Sequence, residues 1–413
     1  MLGTAPIGRL MLKLAVPAVA AQFINMLYNI VDRIYIGHIP EVGDLALTGV
    51  GVTFPIITLV SAFAAFAGQG GAPLAAIQLG AGKKDQAERI LGNSLALLLM
   101  TAAVLTVGFS AFKEPILRAF GASDATIGYA SSYIGIYLLG TVFVQLALGL
   151  NTFISAQGKA MTAMLSVLIG AVLNIVLDPI FIFVFHWGVK GAAWATVIGQ
   201  VLNAIVCISY IRKFKSVKLN KSCFSLDRKM VCKICMMGTS SFITQISIVI
   251  VMAVSNNMLV YYGAKSIYGA DIPLTTLGIV MKVNMIVTAF VQGLSTGVQP
   301  IFGYNYGSGQ RERVKKTFYI VLTVATAFLI LAFLVFQFAP MSIIRLFGSE
   351  SDLYNEFAVK CFKIYLLVIP VNGLQMITRI LFQSIGKPLQ ATILSLARQI
   401  LFLVVPTLLL PMV

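Results

Sequence analysis

Two aspartates, Asp32 and Asp178, lie within long apolar stretches of the sequence. The other twelve of the fourteen acidic residues fall in polar segments or at the ends of apolar stretches. Asn174 precedes Asp178 by four residues, so on a helix both side chains share one face. An ionisable side chain inside a bilayer is costly, and one that is kept there is a candidate for function. Asp32, Asn174 and Asp178 are therefore the predicted site.

The chemistry available to an amide and two carboxylates in apolar surroundings is the binding of a proton or a small cation. Burial disfavours the charged form of a carboxylate, so such a group takes up a proton near neutral pH. With carbonyl and amide oxygens nearby, it also suits a hard cation such as Na⁺. The alternative is structural: Asp32 pairs with Arg33 or another basic residue, and Asp178 anchors an interhelical hydrogen bond. Adjacent residues on a helix do not face each other, so we prefer the cation site.

The elements that must position these residues are transmembrane helices. The chain has 413 residues, of which 59% are hydrophobic and only 11% charged, with a mean hydropathy of +0.93. Apolar runs of about 20 residues recur, the length that a helix needs to cross about 30 Å of hydrocarbon. Transmembrane strands would alternate strictly over about 10 residues, and these runs do not. The eleven predicted spans centre near Gln22, Leu59, Leu99, Thr141, Ala171, Gln200, Ser247, Val287, Ala325, Val368 and Leu401.

The basic residues set the predicted orientation. With a cytoplasmic N-terminus, the inner segments carry nineteen Lys and Arg residues and the outer segments seven. This excess favours a multi-pass protein of the plasma (inner) membrane with its N-terminus in the cytoplasm. The basic loops account for the net charge of +16, so this charge does not indicate a protein that binds nucleic acid. We predict a first domain of six spans over 1–212, a basic cytoplasmic linker over 213–229 and a second domain over 230–413.

The two halves repeat each other at a nearly constant spacing. At an offset of 227 residues, Pro73, Gly80 and Gly82 recur as Pro300, Gly307 and Gly309. The segment Ile116–Gly121 recurs at the same offset as Ile343–Gly348. The pair Gly158-Lys159 recurs as Gly386-Lys387. The offset passes over six spans, an even number, so the halves are predicted to run parallel about an axis along the membrane normal. Parallel repeats of this kind are typical of transporters. The second half has five spans, and we interpret a twelfth helix as missing from the sequence.

The repeat predicts a chemical difference between the halves. It places Phe402 and Pro406 at the positions of Asn174 and Asp178, so ion coupling is predicted for the first half only. The second half instead has basic residues in or near its spans, which we expect to pack or to extend toward helix ends. These residues are Lys282, Arg379 and Arg398.

Enzymatic and cofactor motifs are missing from the sequence. There is no H-E-x-x-H, no phosphate-binding loop and only two histidines, so the chain is predicted to be no enzyme and to hold no cofactor. The Cys232–Cys235 pair lacks the context of a redox or zinc site. We interpret the segment Gly68–Gly71 as a packing or bending point, because small residues let helices approach closely.

Three segments together resemble the multidrug and toxic compound extrusion (MATE) family, in particular its MepA-like bacterial branch. They are Tyr28–Gly37, Leu173–Phe181 and Gln299–Gly307. The resemblance implies an all-α membrane bundle of two six-helix lobes around a V-shaped cavity. It also implies a monomer that exports small amphiphilic, mostly cationic compounds in exchange for H⁺ or Na⁺.

The family's ion site matches Asp32, Asn174 and Asp178, which the resemblance assigns to H⁺ or Na⁺ binding. Its supporting tyrosine and threonine fall on Tyr133 and Thr196, and its bending proline in the first helix on Pro17. The absent twelfth helix departs from the family pattern. Two other functions stay open: a flippase for a lipid-linked precursor, which would need several basic residues in its cavity, and a membrane receptor or scaffold that transports nothing.

Overall fold

The computed structural model describes residues 1–213, 226–269, 271–347 and 351–409, and within them every long element is a helix. Most of the predicted linker, 214–225, lies outside the described residues, as do the side chains at the predicted repeat positions Phe402 and Pro406. The first lobe comprises α1 (Ile7–Gly37), α2 (Gly43–Val52), α3 (Phe54–Gly80), α4 (Lys84–Ala119), α5 (Ile127–Leu139), α6 (Thr141–Ala156), α7 (Ala160–Pro179), the π-helix π1 (Ile180–Val184) and α8 (Val189–Arg212).

The second lobe has the same order of long helices. It comprises α9 (Arg228–Gly263), α10 (Asp271–Gly307), α11 (Arg311–Phe338), α12 (Pro340–Phe347), α13 (Asp352–Tyr365), α14 (Ile369–Ser384), α15 (Pro388–Leu396), the π-helix π2 (Ala397–Val404) and α16 (Val405–Leu409).

The described helices account for the predicted spans. Eight are long and apolar enough to cross a membrane as single helices, and two bent pairs bring the number to ten. The consecutive elements α15, π2 and α16 occupy the place of the eleventh predicted span. Large apolar side chains such as Val104, Val107 and Leu331 are exposed on the outside of the bundle, as expected for a surface that faces lipid.

Two predicted spans are broken rather than continuous. The span near Thr141 bends by 59° between α5 and α6, and the span near Val368 bends by 41° between α13 and α14. Pro370 lies in the first turn of α14, where its missing N–H interrupts no helical hydrogen bond. The two bends occur at equivalent places in the two lobes, so they belong to the repeated architecture.

The lobes meet at one end of the bundle, called here the inner end, where α1 and α9 begin and α3 and α10 finish. A Cβ atom on Gly80 would collide with the carbonyl oxygen of Tyr304, and one on Gly307 with that of Ile77. The offset of 227 residues exchanges these two contacts, because Ile77 corresponds to Tyr304 and Gly80 to Gly307. These reciprocal contacts confirm the predicted parallel repeat and its two-fold axis.

A second pair of close approaches obeys the same symmetry. Gly70 on α3 lies against the backbone of Ile234 on α9, and Gly297 on α10 lies against Ala15 on α1. Gly70 belongs to the segment that the sequence indicates as a packing point. The first half of α1 is accordingly part of the hydrophobic core of the second lobe, in which Leu14 is fully buried. Each lobe is therefore held against the first helix of the other.

Candidate functional site

Asp32 is buried near the end of α1 that lies away from the inner end of the bundle. Its side chain is only 8% exposed, and its Oδ1 atom has no hydrogen-bond partner within the part of the chain that the structure describes. The neighbouring Arg33 is exposed on another face of α1. The described ion pairs, Arg118–Asp124, Lys315–Glu312 and Lys360–Glu356, do not include Asp32. Within the described chain, Asp32 thus forms no ion pair, as expected from helix geometry.

Asp178 and Asn174 lie together on the buried face of α7, with Asp178 completely inaccessible to solvent. In the amide orientation that satisfies both of its ends, the nitrogen of Asn174 donates to Asp178 Oδ2 at 3.2 Å. The amide oxygen then accepts from the hydroxyl and the backbone N–H of Thr196 on α8, both at 3.3 Å. The side chain of Asn174 therefore connects the carboxylate on one helix to the next helix.

The carboxyl groups of Asp32 and Asp178 lie close enough to interact with each other. Tyr133 of α5 is buried beside them, close to Thr196. The structure thus brings together all five residues that the sequence placed at the site, from α1, α5, α7 and α8. Two carboxylates this close repel each other when both are charged, so a proton or a small cation bound between them relieves the repulsion.

Two glycines allow α7 and α8 to approach closely enough to form the site. A Cβ on Gly170 would lie 2.9 Å from the carbonyl oxygen of Gly199, and one on Gly199 would lie 2.8 Å from that of Gly170. Gly170 precedes Asn174 by one turn and Gly199 follows Thr196 by three residues, so the glycine contact is adjacent to the amide contact. Sequence reasoning did not identify these glycines, because small residues are frequent throughout transmembrane helices.

A small cavity of about 20 Å³ lies next to the site. It has room for about one water molecule, and polar side chains from three helices line it. Its lining includes Asn25, Tyr28, Asn174, Thr196, Gln200 and Asn203. Asn25 and Tyr28 precede Asp32 by seven and four residues, so helical spacing alone would have placed them on its face. The sequence analysis missed these lining residues although the signal was present.

Pro17 is buried within α1, which is helical from Ile7 to Gly37 without a break. It lies between Ala15 and Val19, whose backbones are contacted by Gly297 and Gly293 of α10. Fifteen residues separate Pro17 from Asp32, or about 22 Å along the helix. The proposed bending point therefore lies where α1 packs against the second lobe, far from the carboxylates that it would serve. Its role as a hinge stays a prediction.

Comparison with known proteins gives matches along most of the chain. The MatE family profile matches residues 17–180 and 240–408. Multidrug export protein MepA of Staphylococcus haemolyticus (strain JCSC1435) is 26% identical over 393 residues, which cover 95% of this chain and 84% of that protein. The protein of the same name from Staphylococcus aureus (strain MSSA476) is 24% identical over 395 residues, covering 95% of this chain and 85% of that protein.

Solved structures show the same fold. An outward-facing multidrug resistance MATE family transporter of the MOP superfamily superposes with a TM-score of 0.87 at 24% identity, covering 97% of this chain and 87% of that one. A MATE crystal structure in the straight conformation gives a TM-score of 0.88 at 23% identity, with 97% and 87% coverage. At this level of identity the structures establish the shared architecture, and the site must be argued from the residues present here.

Proposed function

This chain belongs to the MatE family of membrane transporters, and from that premise we propose that it is a secondary active multidrug antiporter. It exports amphiphilic, mostly cationic compounds from the cell in exchange for H⁺ or Na⁺. The substrate class and the exchange rest on the similarity to proteins named for multidrug export and on the chemistry of the first-lobe site. The protein acts in the plasma membrane as a monomer, with its N-terminus in the cytoplasm.

The observation that carries this proposal is the proximity of two buried carboxyl groups that form no ion pair among the described residues. Asp32 and Asp178 come from different helices, and each is less than a tenth exposed. A structural role would be fulfilled by an ion pair, which would need no exchange with the solvent. An unpaired carboxyl pair has a charge that changes when a cation binds or leaves, and this change is what an ion-coupled transporter requires.

The oxygen atoms at the site are suited to either coupling ion. The carboxylates of Asp32 and Asp178, the amide oxygen of Asn174 and the hydroxyl of Thr196 offer the hard oxygen ligands that Na⁺ takes. A proton needs only the two carboxylates. The residues at the site therefore fit either H⁺ or Na⁺, and the experiment tests both ions.

The transport cycle follows from competition between the cationic substrate and the coupling ion for the first lobe. When the carboxylates are charged, the potential of the first lobe favours a cationic substrate that enters from the cytoplasm. On the outside, H⁺ or Na⁺ neutralises the carboxylates, the affinity for the substrate falls, and α1 rearranges. Each cargo drives the conformational change only by binding one state more tightly than the other.

The test is efflux of a fluorescent amphiphilic cation from membrane vesicles with imposed pH and sodium gradients, each applied alone. We expect one gradient to drive efflux by the wild-type chain. Asp32→Asn and Asp178→Asn remove the charge while keeping nearly the same volume, so each should reduce gradient-driven efflux to the level of vesicles without the transporter.

The matched control is Asp44→Asn, which removes a carboxylate that is exposed at the start of α2. It should leave efflux unchanged, and all variants should reach the membrane in equal amounts. Wild-type efflux by both Asp32→Asn and Asp178→Asn would exclude the ion site. If neither the pH gradient nor the sodium gradient moved the cation, a lipid flippase or a protein that transports nothing would be favoured.

A further inference from the structure

Two arginines lie inside the second lobe without an acidic partner. Arg379 on α14 is only 5% exposed, and its Nη1 atom has no hydrogen-bond partner among the described residues. Arg398 on π2 is half-buried and donates from Nη1 to Oε1 of Gln375 at 3.2 Å. Sequence reasoning expected these side chains to pack or to extend toward helix ends, and Arg379 is packed inside the lobe. Lys282, the third of that group, is exposed.

The two arginines are linked by a shared neighbour, Gln375. Gln375 and Arg379 are one turn apart on the same face of α14, with Cβ atoms about 6 Å apart, and Gln375 is the residue that Arg398 contacts. Tyr365 of α13 lies beside Arg398. Three helical elements thus direct two positive charges, an amide and a phenol toward one small region.

This region lies deep in the bundle. Arg398 follows Pro388 by ten residues, so it is about 15 Å from the start of its span, close to the bilayer midplane. Arg379 is one turn before Gln383, whose Nε2 donates to the backbone oxygen of Gln69 on α3 at 3.1 Å. Gln383 also donates to Ser241 on α9 at 3.0 Å. The arginines therefore lie just beyond the place where the two lobes touch.

No acid of the second lobe compensates this charge in the described part of the chain. Its acidic residues are Asp271, Glu312, Glu350, Asp352 and Glu356. Of these, Asp271, Glu312 and Asp352 lie in the first turns of helices, Glu356 is paired with Lys360, and Glu350 is outside the described residues. A buried cation beside a half-buried one, with no counterion among the described residues, is unfavourable, because Arg379 loses its hydration and the two charges have the same sign. An anion bound between them would remove both costs.

We propose that Arg379 and Arg398 form a binding site for one oxyanion, a carboxylate or a phosphate group, with Gln375 and Tyr365 as further hydrogen-bonding partners. Guanidinium groups present paired N–H donors that match the two oxygens of such a group. The site is separate from the carboxylate pair of the first lobe, and it does not depend on whether that pair couples export to H⁺ or Na⁺. The oxyanion comes either from a free amphiphile or from a phospholipid headgroup.

The test is thermal unfolding of the full chain in nanodiscs made of phosphatidylcholine alone, a lipid without net charge because choline balances its headgroup phosphate. Salicylate, a soluble aromatic carboxylate, is added in one arm, and phosphatidylglycerol is included in the lipid in the other. A ligand that binds only the folded state raises the unfolding temperature as its concentration rises. Stabilisation by salicylate identifies a free carboxylate as the ligand, and stabilisation by phosphatidylglycerol alone identifies a lipid phosphate. No shift in either arm would overturn the proposal.

Arginine variants separate the proposed site from a structural role. Arg379→Met keeps the length of the side chain and removes the charge, so without anion it should unfold at the same or a higher temperature than the wild type. It should also lose the anion-dependent shift, as should Arg398→Met. The control Arg345→Gln removes an exposed charge on α12 and should keep the shift. Unfolding of Arg379→Met at a lower temperature in phosphatidylcholine, together with an unchanged anion shift, would show that Arg379 only holds the fold.

Discussion

At the scale of the residue, the chemistry of the first lobe depends on a carboxyl pair whose hydrogen-bonding capacity is incompletely used. Asn174 donates to Asp178 and accepts from Thr196, whereas Oδ1 of Asp32 has no partner in the described chain. A buried acceptor left without a donor is costly, and the cost disappears when a proton or a cation arrives. A proton or a small cation bound at this site would therefore satisfy the unpartnered oxygen, as the proposed function requires.

The hydroxyl of Thr196 provides a test that leaves both carboxylates in place. Thr196→Val keeps the shape of the side chain but removes one donor to Asn174, a loss of about 1 kcal/mol or about fivefold in ion affinity. We expect half-maximal efflux to require about five times more of the coupling ion, with the maximal rate little changed. The measurement is initial efflux against ion concentration.

Thr323→Val is the matched control for that experiment. The hydroxyl of Thr323 is exposed on α11 and bonds only to the carbonyl of Tyr319 in its own helix, at 2.9 Å. It should leave the ion dependence of efflux unaltered. An ion dependence of Thr196→Val that matches the wild type would mean that Asn174 does not need Thr196 to hold the ion.

At the scale of the element, glycines determine which helices approach each other. Gly170 and Gly199 bring α7 and α8 together beside the carboxylates, and Gly80 and Gly307 bring the ends of α3 and α10 together at the inner end. In each of these contacts, the glycine lies against a backbone carbonyl where a Cβ atom would have no room. A backbone carbonyl cannot move aside as a flexible side chain would. The first pair builds the site, and the second closes one end of the bundle.

Gly307→Ala should therefore disturb the closed inner end. The added methyl group collides with the carbonyl of Ile77, an overpacking that costs about 1–3 kcal/mol. We expect the state with a closed inner end to become less populated and gradient-driven efflux to fall several-fold. Efflux and membrane expression are measured together, so that a transport defect is distinguished from loss of protein.

Gly108→Ala is the control, because nothing lies within 4 Å of the Cβ position on Gly108 in the middle of α4. Alanine is also the better helix former, so efflux and expression should match the wild type. Normal efflux by Gly307→Ala would mean that the close approach of α3 and α10 is not required during transport.

At the scale of the whole molecule, the symmetry of the backbone contrasts with the asymmetry of its charges. The two lobes share their order of helices, their two bends and their reciprocal glycine contacts. The described residues of the first lobe bury two carboxyl groups, whereas those of the second bury Arg379, with the half-buried Arg398 nearby. The repeat thus provides two lobes with equivalent backbones, and the individual residues give these lobes buried charges of opposite sign.

A crosslink between the lobes should stop transport. The hydroxyl of Ser241 on α9 donates to Oε1 of Gln69 on α3 at 2.8 Å across the lobe boundary. Cysteines at these two positions, in a chain whose native cysteines are replaced, should be joined by an oxidant or a short crosslinker. We expect efflux to be lost on oxidation and restored by a reductant, because alternating access requires the lobes to separate at the inner end.

The control joins two helices of the same lobe. Ser240 on α9 and Ser395 on α15 have their hydroxyl oxygens 3.1 Å apart, so the corresponding cysteine pair tests the chemistry of crosslinking without linking the lobes. This pair should be crosslinked and still export. Undiminished efflux by the oxidised Gln69→Cys/Ser241→Cys protein would contradict movement of the lobes at this contact.

The sequence by itself determined the membrane spans, the parallel repeat and the identity of the carboxyl pair. These features are local or periodic: a run of apolar residues spans the bilayer whatever its neighbours are, and a buried acid stands out against that background. The resemblance added Tyr133 and Thr196, and the structure places both beside the carboxylates. Their roles, and that of Pro17, stay predictions.

Only the tertiary structure decided which helix faces meet. In a membrane protein both the lipid-facing and the core-facing residues are apolar, so the pattern that orients a helix in water is weak. For this reason the sequence revealed neither the bends near Thr141 and Val368 nor the contact of Gly170 with Gly199. It also did not reveal the burial of Arg379 beside Arg398. Whether a charged side chain is paired depends on residues far away in the chain, and these become neighbours only when the helices pack.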